Sequence, residues 1–240
     1  EVIPAVNLLT HQERVMKQIN ERLMVNDGDY DPNKEEVYPI VYRILDEVLE
    51  IFQPRFFHIG HDEVYGIRRS AYSRSLDFRV LTPGEYLSDT LKIHEYLKKK
   101  NVRTMMWADM LLNPKVFGPY YDKDELCGYH GFDRLLDSLP RDIVLCDWHY
   151  KGNTSKEFPS YTYLQKKGFT VWGAAWKDPA SFAEFSDYVA SYSRTGEGMI
   201  ATTWWPFVSQ EKNIIDGILK AAEKSFFISP SSNGTPPISR

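Results

Sequence analysis

The sequence predicts an α/β protein on a parallel sheet, either doubly wound or part of a (β/α)8 barrel. Three observations carry that prediction. Short β-type runs alternate with longer amphipathic stretches, the pattern of strands joined by helical crossovers. No Gly-x-Gly-x-x-Gly or phosphate-cradling loop follows any strand, which weakens the dinucleotide-binding form of the doubly wound alternative. Unusual residues also gather just past the strand ends, where a barrel carries its catalytic groups.

In order, the strand candidates are Val2–Val6, Arg55–Gly60, Thr104–Ala108, Ile143–Asp147, Thr170–Ala174 and Met199–Thr203. The clearest helix is Glu36–Phe52, with Val37, Ile40, Val41, Ile44, Leu45, Val48, Leu49 and Phe52 on one face and Pro39 tolerable in the first turn. A second helix is fully punctuated. Thr82-Pro83-Gly84-Glu85 offers a capping Thr, a Pro at the first helical position and a Glu at the third, and Lys98-Lys99-Lys100-Asn101 closes the far end. Ala180–Tyr192 and Glu211–Phe227 are two more. Residues 26–35 and roughly 66–81 read as polar loops, and 229–240 as an unpacked tail after one unit covering 1–228. Asp27, Asp29 and Asp31 alternate as in a calcium loop, but that frame puts Pro32 at the obligatory glycine and Tyr38 at the closing glutamate, so the reading fails.

Composition narrows the partners. The 240 residues are 42% hydrophobic and 26% charged, enough for one large core. A formal net charge of -4 argues against a nucleic-acid backbone as main partner, and no apolar run has the length of a membrane span. Cys127 and Cys146 alone make neither a disulfide framework nor a zinc spacing, and no cofactor is implied.

The most informative stretch is Phe56-Phe57-His58-Ile59-Gly60-His61-Asp62-Glu63-Val64. An apolar strand breaks at a glycine and delivers two adjacent carboxylates. In a regular strand they would point to opposite faces, but where a strand frays both can swing toward one cavity, and two carboxyls in one pocket have their proton affinities pushed apart. Glycosidic cleavage needs such a pair. All six Trp lie at or just past a strand end: Trp107, Trp148, Trp172, Trp176, Trp204 and Trp205. Together with Asp109, Asp147 and Tyr150 they suggest an aromatic-walled pocket for sugar rings, whose C–H faces stack on such walls. His58 and His61 could instead begin a metal site, but Ile and Gly lie between them at a strand end, unlike the helical metal motif.

At His58-Ile59-Gly60-His61-Asp62-Glu63-Val64 the chain resembles the family-20 glycoside hydrolases, the β-N-acetylhexosaminidases, whose fourth barrel strand ends in His-x-Gly-Gly-Asp-Glu. Trp107, the Asp147-Trp148-His149-Tyr150 cluster, Trp172 and Trp204 follow in the family's order, so the likeness extends to about residue 228. It implies an incomplete (β/α)8 barrel, strands three to eight, with strands one and two supplied by the rest of a longer chain. It also implies substrate-assisted retention on terminal N-acetylhexosamine. Asp62 would orient the 2-acetamido group and Glu63 would be the general acid/base. Tyr150, or Trp148 in another register, would hold the acetamido group. Trp107, Trp172 and Trp204 would wall it, with His58 as a support. Two departures stand out: His61 replaces the motif's second Gly and would sit beside the acids, and Pro206 stands where the family has a sugar-binding carboxylate. Two alternatives stay open: a glycosidase using Asp109 or Asp147 as nucleophile on other sugars, and a degenerate barrel that only binds glycans.

Overall fold

The computed structural model describes residues 2–67, 79–118, 120–121, 125–150, 157–176, 178–194, 197–202 and 204. Among them six strands form one sheet: β1 Ala5–Leu8, β2 Phe56–Gly60, β3 Arg103–Trp107, β4 Val144–Trp148, β5 Thr170–Trp176 and β6 Met199–Thr202. Every adjacent pair is parallel and the spatial order is the sequence order. A doubly wound sheet reverses its order at a switch point. This one never does, so the sheet curls as part of an incomplete (β/α)8 barrel.

The helices are α1 Met16–Asn20, α2 Val37–Phe52, α3 Pro83–Lys99, α4 Pro114–Phe117, α5 Pro159–Lys166 and α6 Pro179–Tyr192. α3 begins as its sequence predicts. The Thr82 hydroxyl accepts from Glu85 N, while the Glu85 carboxylate accepts from Thr82 N at 2.8 Å, which satisfies two orphan amides at once. α2 stops at Gln53, a left-handed residue whose N–H bonds Leu49 O. α5 was not expected; Pro159 starts it, but it has few apolar repeats to betray it.

Alternation along the strands makes two apolar layers. Phe57, Ile59, Met106, Leu145 and Val171 face the helices and belong to the main core. Met105, Trp107, Val144, Cys146, Trp148 and Ala174 face inward and form a second cluster. That parity corrects the placing of Asp147 in the pocket. It lies between Cys146 and Trp148 and so belongs to the helix-facing side, where it accepts from the Ser160 hydroxyl of α5 at 2.7 Å. β1 is shifted from its expected span, beginning at Ala5 after Pro4, which has no N–H to donate to the ladder. The helix expected at 211–227, the tail from 229 and Pro206 lie outside the described residues.

Candidate active site

The acids are brought together by an abrupt change of backbone after β2. Gly60, His61 and Glu63 have φ of +76°, +67° and +46°, all left-handed. Only glycine fits the first position, since a β-carbon there would lie 2.9 Å from the Asn7 Cα of β1. This winding breaks the strand alternation, and Asp62 and Glu63 both reach a cavity of about 820 Å³ at the carboxyl ends of the strands. Trp107, Trp148, Tyr150 and Trp204 wall it.

His11, two residues past the left-handed Leu9 that follows β1, completes the centre. Its Nε2 lies 3.3 Å from Asp62 Oδ2 and 3.9 Å from Glu63 Oε2. One donor atom from each of the three groups lies within 4.8 Å of the others. The hydrogen bond to Asp62, aided by the charges of Asp62 and Glu63 and opposed by burial, pushes His11 up to about 9, so it is protonated beside the two acids at neutral pH. The acids differ in environment. Asp62 is 13% exposed and its Oδ1 is buried with no partner among the described residues, whereas Glu63 is 31% exposed.

Asp109 sits beneath the turn. Its Oδ2 accepts from Glu63 N at 2.9 Å, and burial, then the charge of Asp62, pushes its carboxyl up to about 8. It is therefore a neutral acid supporting the turn. His58 is buried, accepts from Gly60 N at Nδ1 (3.1 Å) and packs on Trp107 at 4.4 Å. Burial drops it to about 4, which fixes a neutral ring with its hydrogen on Nε2. It faces a second, inner cavity of about 430 Å³ beneath Trp107 and Trp204, and Trp172 lines that cavity too. Trp176 meets the Tyr150 ring edge-on at 5.5 Å.

Tyr150 is held from both ends. Its hydroxyl accepts from the Trp204 indole at 2.9 Å and also meets the Thr202 side chain, and burial raises it above the ordinary phenol range. Its backbone N–H donates to Glu125 at 2.9 Å. Behind it His149 lies 3.0 Å from Asp147 Oδ1 and 3.6 Å from Glu125 Oε2. Burial opposes its charge, but Asp147 and Glu125 outweigh burial and push it up to about 9. Asp147 therefore acts behind the wall. His61, expected beside the acids, is turned from the cavity as well: it is fully buried, with both ring nitrogens engaged at Ile59 O and Asp89.

Sequence reasoning missed His11, together with Asn7, Glu13 and Arg14 of the same wall. The available signal was a polar residue just past a strand end, the same rule that found the others.

A parallel half-barrel whose strand ends present paired acids among aromatic walls is the architecture of a glycosidase catalytic domain. The model of glycosyl hydrolase family 20, catalytic domain, matches residues 2–158, and the chain belongs to that family. Solved structures agree in fold. Dispersin B is 18% identical at a TM-score of 0.55, over 94% of this chain and 72% of that one. The exo β-N-acetylglucosaminidase from Vibrio harveyi, solved with N-acetylglucosamine, is 14% identical at 0.60, over 97% and 39%. The β-N-acetylhexosaminidase from Bacteroides fragilis is 16% identical at 0.58, over 93% and 47%. The chain thus spans less than half the length of the latter two.

Proposed function

We propose that this glycosidase removes terminal N-acetylhexosamine by a substrate-assisted, retaining reaction. The observation that carries the reading is the winding of Gly60–Glu63, which sends two neighbouring carboxylates into one aromatic-walled cavity. Neighbours on one turn cannot flank an anomeric carbon from opposite faces, as a separate nucleophile and acid must. Nor are the two acids that the sequence offered suited to be the nucleophile: Asp109 is neutral near pH 7 and Asp147 faces the helices. The substrate's own acetamido oxygen then fills the role.

In this mechanism the acetamido oxygen attacks the anomeric carbon as Glu63 gives its proton to the departing glycosidic oxygen. Asp62 Oδ1, buried and without a partner among the described residues, accepts the acetamido N–H and offsets the positive charge of the cyclic intermediate. Tyr150 donates its hydroxyl hydrogen to the acetamido oxygen, and Trp107, Trp148 and Trp204 enclose the methyl group and the sugar face. Glu63, the more exposed acid, then takes a proton from the water that opens the intermediate. Two inversions give net retention. The described strands make up six of the eight units of a closed barrel, and we propose that a longer chain supplies the rest.

The test is a set of 4-nitrophenyl glycosides with and without a 2-acetamido group, offered to the full-length protein. Turnover confined to the acetamido sugars is expected. Comparable turnover of matched sugars lacking that group would overturn the proposal.

A further inference from the structure

His61 stands on backbone that ordinarily calls for glycine, with φ of +67° between Gly60 and Asp62. A side chain there is strained, so its surroundings must hold it. The ring is fully buried, with Nδ1 3.1 Å from the Ile59 carbonyl oxygen and Nε2 3.0 Å from Asp89 Oδ2. A carbonyl oxygen has no hydrogen to give, so Nδ1 must donate. Asp89, itself fully buried on α3, also meets the Tyr30 and Tyr38 hydroxyls at 3.1 Å, the latter equally close to the Pro32 carbonyl oxygen. Burial, then the charge of Asp89, raises both phenols, so they stay donors. Asp89 meets Nε2 as well.

We infer that His61, hydrogen-bonded through its ring to Asp89, is a positioning residue that pins the turn bearing Asp62 and Glu63 to α3. Tyr86, a further α3 residue, donates to the His61 carbonyl oxygen at 2.8 Å, so the helix grips this one residue by ring and by backbone. His61 thereby does by side-chain anchoring what a glycine at this position could do only by conformational freedom.

The kinetic half of the inference rests on the function proposed above; the hydrogen bonding of the ring does not. In 15N-labelled full-length protein, long-range 1H–15N spectra should show hydrogen on His61 Nδ1, assigned by its loss in His61→Gly. A bare Nδ1 overturns the anchoring. His61→Gly and Asp89→Asn should each lower kcat on acetamido glycosides by on the order of ten- to a hundredfold, with KM within about threefold. The double variant should lose little more than the worse single one, because both remove the same contact. Unchanged kcat, a KM effect in its place, or losses that multiply would refute the positioning role. If His61→Gly fails to fold, Tyr86→Phe probes the same grip: a drop of at least about threefold in kcat supports it and wild-type kcat refutes it. A protein with the Nδ1–H signal but no turnover of any glycoside would support the anchoring while sinking the proposed function.

Discussion

Replacing Asp109 by Asn and by Ala separates two ways this cavity could cleave a glycosidic bond. If Asp109 is the neutral support of the Glu63 amide, Asn keeps an oxygen to accept that N–H and Ala does not. Leaving a buried N–H unsatisfied costs about 1–3 kcal/mol, or roughly five- to 150-fold in kcat/KM if all of it is felt in the transition state. Asn should cost less than about fivefold at pH 6. The stability sign follows from the raised carboxyl. Its folded value of about 8 exceeds the ordinary Asp value of 3.8, so its contribution is complete below about pH 4 and is lost as pH rises through 8. Asn cannot ionise, so the variant's melting temperature should fall less than the wild type's between pH 6 and 9. The assay is 4-nitrophenyl acetamido-glycoside hydrolysis from pH 5 to 9 alongside thermal unfolding. An Asn variant as inactive as the Ala variant at pH 6 would mean the ionised carboxylate is required, and the nucleophile reading would displace ours.

Other expectations follow from the same geometry. Tyr150→Phe deletes the hydroxyl that the wall offers the acetamido group, so kcat on acetamido sugars should drop on the order of 10²- to 10³-fold with the fold retained; wild-type kcat would remove Tyr150 from the chemistry. Gly60→Ala puts a β-carbon 2.9 Å from the Asn7 Cα at a φ of +76°. Left-handed strain plus overpacking amounts to roughly 2–5 kcal/mol, about 5–15 °C in Tm, and a shift under about 2 °C would contradict the close approach of β1 and β2. His11, raised to about 9, holds its proton below that pH and loses it above, so kcat/KM should fall on the alkaline side near pH 9. In His11→Asn that limb should vanish, and an unchanged limb would assign it elsewhere.

Much of this was legible in the sequence, and the reasons differ by element. The Thr82-Pro83-Gly84-Glu85 start of α3 and the stripe of α2 are local signals, set by hydrogen bonds and contacts within one turn or two, and they fell within a residue or so of their expected bounds. The strands were found by apolar runs and turn residues, though β1 slid by three residues at its start because Pro4 limits pairing. The convergence of Asp62 and Glu63 was foreseeable as a possibility, but its cause was not, since it depends on three left-handed residues, two of them non-glycine. Strand parity could have removed Asp147 from the pocket, as it alternates with Cys146 and Trp148. His61 was harder. Nothing local says that a ring after Gly60 will find Asp89, 28 positions away, instead of the cavity beside it. His11 was lost for a similar reason: its partners Asp62 and Glu63 lie on another strand end, far along the chain.

The most direct test of the paired-acid account is a crystal structure of the full-length protein with a thiazoline that mimics the cyclised acetamido intermediate. We expect the thiazoline nitrogen within hydrogen-bond distance of Asp62, Glu63 close to the anomeric carbon on the leaving-group side, and the methyl group among Trp107, Trp148 and Trp204. A thiazoline bound away from Asp62, or an Asp109 carboxylate seated against the anomeric carbon, would contradict it.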